Sequence, residues 1–263
     1  MTNMESTHKA LLDWLEAQMF EGAPFGDVAD REPNLSATDA YRLRDALMKR
    51  RVAKGDPHIG YKVAGAARVI QTTEHTEGAT VGCLMRSGLI GEDEAFSVAG
   101  YQRVIVESEV AVLLRHDLAG PGVTALDALR AIEGYLPAIE VIAQRPTPKR
   151  SHPMRILGTK FSGGGIVVGG PMSAPHGIDL RLEGMVISIN GQVRGSATGV
   201  EVMGDPVNSV AFMANTLGEI GESLKAGMVL MTGSFIGNLP VGAGDDVCVE
   251  FTRLGRVHAR FKA

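Results

Sequence analysis

Near the N-terminus apolar residues recur at helical spacing. Leu11, Leu12, Trp14, Leu15 and Met19 predict a helix from His8 to Phe20. A loop with Gly22, Pro24, Gly26 and Pro33 follows. Ser36 then reads as an N-cap, with Asp39 three residues on in a capping-box position. Ala40, Leu43, Ala46 and Leu47 give a second helix its apolar stripe. Arg42, Arg44, Lys49, Arg50 and Arg51 are assigned to that helix's solvated face.

After Gly60 the pattern shortens. Gly60–Gly65, Val104–Leu114, Ala138–Ile142 and Gly164–Val168 read as strands. Leu182–Ile189 and Gln192–Thr198 flank Asn190-Gly191, the preferred two-residue hairpin turn. Thr124 caps a helix that Gly134 is expected to end. Asp205-Pro206 opens another running to about Leu217. Met228–Phe235, Val247–Thr252 and Arg256–Phe261 complete the strands. A helical front followed by hairpin-linked strands predicts an α+β protein with a mostly antiparallel sheet, not the βαβ alternation of a parallel one. The division expected is a helical region over 1–70, packed on a β body over 71–263.

Composition narrows the function classes. The chain has 263 residues, with Lys+Arg 26 against Asp+Glu 30 and a net charge of −4. A slightly acidic chain is a poor match for nucleic acid or an anionic membrane surface, both of which need a basic face. No apolar run approaches the ~18–20 residues of a membrane helix. The opening residues Met1–Glu5 lack the charged and apolar regions of a signal peptide, so the cytoplasm is the expected location. Two cysteines, Cys83 and Cys248, cannot make a disulfide scaffold or an all-Cys zinc site. The 33 glycines exceed ordinary usage of about 7% and are spread through the chain, as expected where backbone turns or approaches a ligand.

The candidate chemistry lies on the strands. Glu107 and Glu109 fall on one face of a strand with Ile105, Ala111 and Leu113. Either they face solvent on an edge strand, or a buried pair of carboxylates is compensated by two arginines or one divalent cation. Glu140 is a third acid, alone in the apolar stretch Leu136–Ile142. Three carboxylates with no His or Cys cluster point to a hard cation with oxygen ligands, Mg²⁺ or Mn²⁺. Lys62, between Gly60 and Gly65, is either an anchor or proton donor for an anionic substrate or an exposed strand lysine. Thr232, Gly233 and Ser234 could hold a carboxylate or form a plain turn. His75, between Glu74 and Glu77, reads as a surface histidine, and Arg145–His152 as a basic loop or lid. No nucleophile elbow, phosphate loop or dinucleotide fingerprint is present.

These segments, taken in order, resemble the 2-hydroxypentadienoate hydratase and 4-oxalocrotonate decarboxylase family of the fumarylacetoacetate hydrolase superfamily. The resemblance rests on Gly60-Tyr61-Lys62, Glu107-Ser108-Glu109, Leu136–Glu140, Gly204–Asn208 and Thr232-Gly233, with Asp39-Ala40-Tyr41 and Arg50–Ala53 upstream. It covers nearly the whole chain. It implies a mixed β-roll of the fumarylacetoacetate hydrolase C-terminal type and Mg²⁺ or Mn²⁺ on Glu107, Glu109 and Glu140. The implied substrate is a small 2-oxo or 2-hydroxy-dienoic acid. Lys62 would be catalytic, with Lys62, Ser162, Thr232, Gly233 and Ser234 binding substrate; Lys160, which stands at a departure from the family pattern, is expected to be a further catalytic group facing the substrate. The implied partners are further copies of the chain and a homologous hydratase or decarboxylase subunit. The implied activity is hydration to a 4-hydroxy-2-oxo acid, or else decarboxylation; tautomerisation, C–C hydrolysis and metal–oxo-acid binding alone are the other options. C–C hydrolysis would want a His–Glu pair on an N-terminal lid, and Phe25–Pro33 holds no histidine. Two positions depart from the hydratase pattern: Arg86-Ser87 and Thr159-Lys160 stand where family acids are expected, so water activation in the hydratase manner is not implied, and the alternatives are a substrate with an extra acidic group, a shift toward decarboxylation or tautomerisation, or lost activity.

Overall fold

The structure is a computed structural model and describes residues 8–20, 26–66, 78–145, 151–158 and 164–263. Five α-helices occur among them: α1 (Lys9–Phe20), α2 (Ala37–Ala53), α3 (Ala125–Ala131), α4 (His152–Gly158) and α5 (Pro206–Gly218). The strands are β1 (His58–Ala64), β2 (Thr80–Met85), β3 (Leu89–Ile90), β4 (Ala95–Ser97), β5 (Arg103–Leu114), β6 (Ile132–Gln144) and β7 (Gly164–Val168). They continue with β8 (Gly184–Ile189), β9 (Gln192–Thr198), β10 (Val229–Met231), β11 (Leu239–Val241), β12 (Asp246–Phe251) and β13 (Gly255–Lys262). No helix among the described residues is long and apolar enough to cross a membrane.

Local chemistry sets several boundaries. The Ser36 hydroxyl accepts the Asp39 N–H at 3.1 Å and starts α2. Thr124 and Asp127 form a reciprocal capping box on α3. That helix ends at Ala131, before the expected Gly134, because β6 takes over at Ile132. Gly134 serves the strand instead: a Cβ there would lie 2.5 Å from Met172 Cγ. The strand expected over Met228–Phe235 pairs only over Val229–Met231.

The larger sheet runs β2-β1-β10-β5-β6-β7-β3, with β11 also on β5. The smaller runs β4-β13-β12-β8-β9. Pairing is antiparallel except β1–β10, β3–β7 and β4–β13. Strands β2 and β3 lie at opposite ends of the larger order, yet only residues 86–88 separate them. A flat sheet would hold those ends about 29 Å apart, at roughly 4.8 Å per strand. The chain from Met85 to Leu89 reaches at most about 14 Å. The sheet must therefore curl back on itself, and Leu84 of β2 does share a small apolar cluster with Ile166 of β7. That cluster also holds Ala111, Ala138 and Met231. The larger core, on the sheet's other face, takes in the helices and the smaller sheet.

Arg44 departs from expectation. It is fully buried, not solvated. Its Nη1 donates to Val81 O at 2.6 Å, and its guanidinium lies 4.9 Å from the Tyr41 ring centre. The Tyr41 hydroxyl accepts the Val81 N–H at 3.1 Å. Helix α2 thus satisfies both backbone groups of a residue on the outermost strand. Its position foretells this: Arg44 lies four residues after Ala40 and three before Leu47, on the apolar stripe.

Candidate metal centre

The antiparallel pairing of β5 with β6 sets Glu107 directly opposite Glu140 and Glu109 opposite Ala138. Residues directly opposite share a face, so all three carboxylates project from one side of the curled sheet. One oxygen from each lies within 4.8 Å of the others. Glu109 and Glu140 are fully buried and Glu107 nearly so. Two strands over, β1 brings Lys62 to the same face, and its Nζ donates to Glu140 Oε1 at 2.8 Å. The expectation of an inward-facing acid pair therefore holds over the solvent-facing alternative.

The electrostatics follow from burial and crowding. Burial alone would discharge Lys62, but Glu140, then Glu107 and Glu109, outweigh it and hold its pKa above the ordinary lysine value. For Glu109, burial and then Glu140 and Glu107 push the pKa well above the ordinary carboxylate range. The Gly233 N–H, donating to Glu109 Oε2 at 2.8 Å, pulls against them. The other Glu109 oxygen, Oε1, is buried without a hydrogen-bond partner. A structural acid elsewhere shows the contrast: buried Glu183 accepts from both the N–H and Nε of Arg253. Three carboxylates against one ammonium leave two negative charges uncompensated. A divalent cation with oxygen ligands matches that charge, the donor set and the orphaned Oε1. The residues present fit Mg²⁺ or Mn²⁺.

A family model, fumarylacetoacetate (FAA) hydrolase C-terminal, matches residues 59–262. The chain belongs to the fumarylacetoacetate hydrolase family. Within that family it is 33% identical over 227 residues to the 2-hydroxyhexa-2,4-dienoate hydratase of Comamonas testosteroni, covering 85% of this chain and 86% of the relative. It is 28% identical over 252 residues to a 4-oxalocrotonate decarboxylase of Pseudomonas putida, covering 96% of each. Among solved structures it superposes on 4-oxalocrotonate decarboxylase from Pseudomonas putida G7, complexed with magnesium and adipate. That match has a TM-score of 0.89 at 28% identity and covers 99% of both chains. The expected α+β roll of the fumarylacetoacetate hydrolase type is thereby established.

Other predicted site residues are placed differently. The Thr232 N–H and hydroxyl both go to Val110 O, at 3.3 and 2.9 Å. The Ser234 hydroxyl donates to Ile236 O at 2.6 Å. The segment expected to grip a carboxylate thus spends its hydroxyls on its own fold and its glycine N–H on Glu109. Gly233 suits this place. Its φ is +111°, and a Cβ would lie 2.6 Å from that of Ala66. Lys160, Ser162, Thr159 and His75 lie outside the described residues. At the other departure from the family pattern, Ser87 is bound to an acid that sequence reasoning missed. Its N–H and hydroxyl donate to Asp56 at 3.0 and 2.7 Å, and Arg51 bonds both residues. A carboxylate is therefore present beside position 87, supplied from upstream of β1. Arg86 is exposed. Arg145 donates to the Met19 carbonyl at the end of α1.

Proposed function

We propose that the chain is a divalent-metal-dependent lyase that hydrates 2-hydroxypenta-2,4-dienoate-type acids to 4-hydroxy-2-oxo acids. The observation that carries this reading is the buried Glu107–Glu109–Glu140 cluster with Lys62 bonded to it. Glu107, Glu109 and Glu140 would hold Mg²⁺ or Mn²⁺. The cation, when bound, polarises a 2-oxo oxygen and stabilises the negative charge that develops there. Lys62 stays charged, and an ammonium has three donors. One goes to Glu140 Oε1, so Lys62 has capacity to steady the enolate oxygen or return a proton to it. Gly233 fixes the Glu109 carboxylate, and the buried wall excludes bulk water. Ketonisation of the dienol and addition of water then give the product.

Lys160 and Ser162 belong to the same proposal as catalytic and substrate-binding groups, while Thr232, Gly233 and Ser234 serve it by shaping the wall and holding Glu109 rather than by gripping the substrate themselves. A cytoplasmic location and a homo-oligomeric state, with or without a homologous hydratase or decarboxylase subunit, complete it. Purified protein with Mg²⁺ should consume 2-hydroxypenta-2,4-dienoate, read as loss of diene absorbance. No turnover of this or related 2-oxo acids would refute the reading. A second reading, decarboxylation of a 4-oxalocrotonate-type acid, is favoured by the end-to-end match to the decarboxylase structure. The same electron sink would accept the electrons released with CO₂, and CO₂ evolution separates the two.

A further inference from the structure

A gap in one strand ladder sits beside the carboxylates. The edge of β5 pairs with β10 over Ala111–Leu113 and with β11 over Val104–Val106. Between those ladders, residues 232–235 fasten to β5 at separate points. The Thr232 N–H and hydroxyl go to Val110 O, and the Phe235 N–H donates to Ser108 O at 2.9 Å. Ser108 and Val110 flank Glu109, and between the two fastenings the Gly233 N–H donates to the Glu109 carboxylate. A glycine has the least constrained backbone of any residue. The direction of its N–H is therefore set by the anchors on either side. The downstream anchor is an aromatic ring. Phe235 is buried, its ring centre 5.5 Å from that of Phe251 on β12, edge to face at 89°. A Cβ on Gly199 would lie 3.3 Å from the Phe235 Cζ, so the glycine leaves room for the tip of the ring. Strand β12 belongs to the smaller sheet, which carries none of the three carboxylates. One side chain thus ties the segment that holds Glu109 to the smaller sheet.

We propose that Phe235 is a positioning residue of the metal centre: its ring, seated in the smaller sheet, keeps the Gly233 N–H on Glu109 and so raises affinity for the divalent cation. Phe235 supplies no ligand and acts through Gly233. Shrinking the ring leaves a cavity into which its surroundings partly relax, and only residues 233 and 234 separate it from the Thr232 anchor. A ligating carboxylate held by a hydrogen bond binds its cation more tightly than one left to find its own orientation. The assignment rests on the reading of the three acids as a divalent-cation site.

Calorimetric titration of the full chain with Mg²⁺ tests this. Phe235→Leu should weaken Mg²⁺ roughly tenfold, the lower end of what losing a support to a ligand costs. Phe261→Leu is the control for general loosening. Phe261 is buried on β13 of the same sheet, its ring centre 6.3 Å from that of Phe96 on the edge strand β4. Its replacement should leave Mg²⁺ affinity within about twofold of wild type, as expected of a site that shares no partner with Glu109. Combined with Gly233→Ala, the Phe235→Leu loss should not add, because both changes act through one N–H. Phe235→Met, whose flexible chain fills the gap better, takes the place of the leucine variant if that one does not fold. An unchanged Mg²⁺ affinity in the Phe235 variant overturns the assignment. An equal loss in Phe261→Leu does so too, and so does full additivity in the double variant. A wild-type protein that takes up no Mg²⁺ instead overturns the reading of the carboxylates as a metal centre, in an arm independent of the variants.

Discussion

Replacing Lys62 by Met should make the fold depend on metal. Lys62 is 5% exposed and Glu140 fully buried, so water screens their 2.8 Å contact little. Removing one partner of a buried ion pair typically costs about 3–5 kcal/mol. At roughly 2–4 °C per kcal/mol for a chain near this size, the metal-free variant should melt roughly 6–20 °C below wild type. The sign reverses for metal binding. Without the ammonium the cation alone neutralises three carboxylates and no longer shares Glu140, so it should bind more tightly. By linkage, the rise in melting temperature on saturation is then larger in the variant than in wild type. Melting curves in EDTA and in saturating Mg²⁺, at one protein concentration, measure both quantities. Equal stability of the two proteins in EDTA, or an Mg²⁺ shift no larger in the variant, would refute the electrostatic account of the site.

Other perturbations test its supports. Gly233→Ala forces a Cβ against Ala66 at positive φ, a strain of about 1–3 kcal/mol. It should also loosen the N–H on Glu109 and weaken Mg²⁺ about tenfold or more by calorimetry; unchanged affinity would free Gly233 of that role. Tyr41→Phe leaves the Val81 N–H buried without its acceptor and should cost about 1–3 kcal/mol in urea unfolding. His58 supplies a pH dependence. Burial, together with Arg44, pushes its pKa down to about 4 against a backbone bond to Gly60. The unfolded chain takes up that proton first, near the ordinary value of about 6.5. Stability should therefore fall by roughly 3 kcal/mol as pH drops from about 6.5 to about 4. His58→Gln should flatten that limb, and an unchanged acid profile would exclude His58 as its source.

The three acids were legible because charge inside an apolar strand is conspicuous. Their convergence was not, since it depends on the β5–β6 register, fixed across an intervening helix. Arg44 shows the opposite failure. Its spacing placed it on the buried stripe, but its charge suggested solvent. Asp56 carries no local signal, because it reaches Ser87 across a chain reversal. The glycine excess was a sound clue with an incomplete meaning: Gly233 approaches a ligating carboxylate, while Gly134 makes room for Met172.

The pair of contacts from Tyr41 and Arg44 to Val81 also bears on how the molecule behaves in a crowd. An outermost strand presents N–H and C=O groups that a strand from another molecule could adopt. At Val81 those groups are already taken by two side chains of the same polypeptide, rooted in a helix. A stranger would have to pull a buried guanidinium out of its aromatic setting before it could pair there. The obstacle to such pairing at Val81 thus lies in the interior, where surface engineering would not look for it.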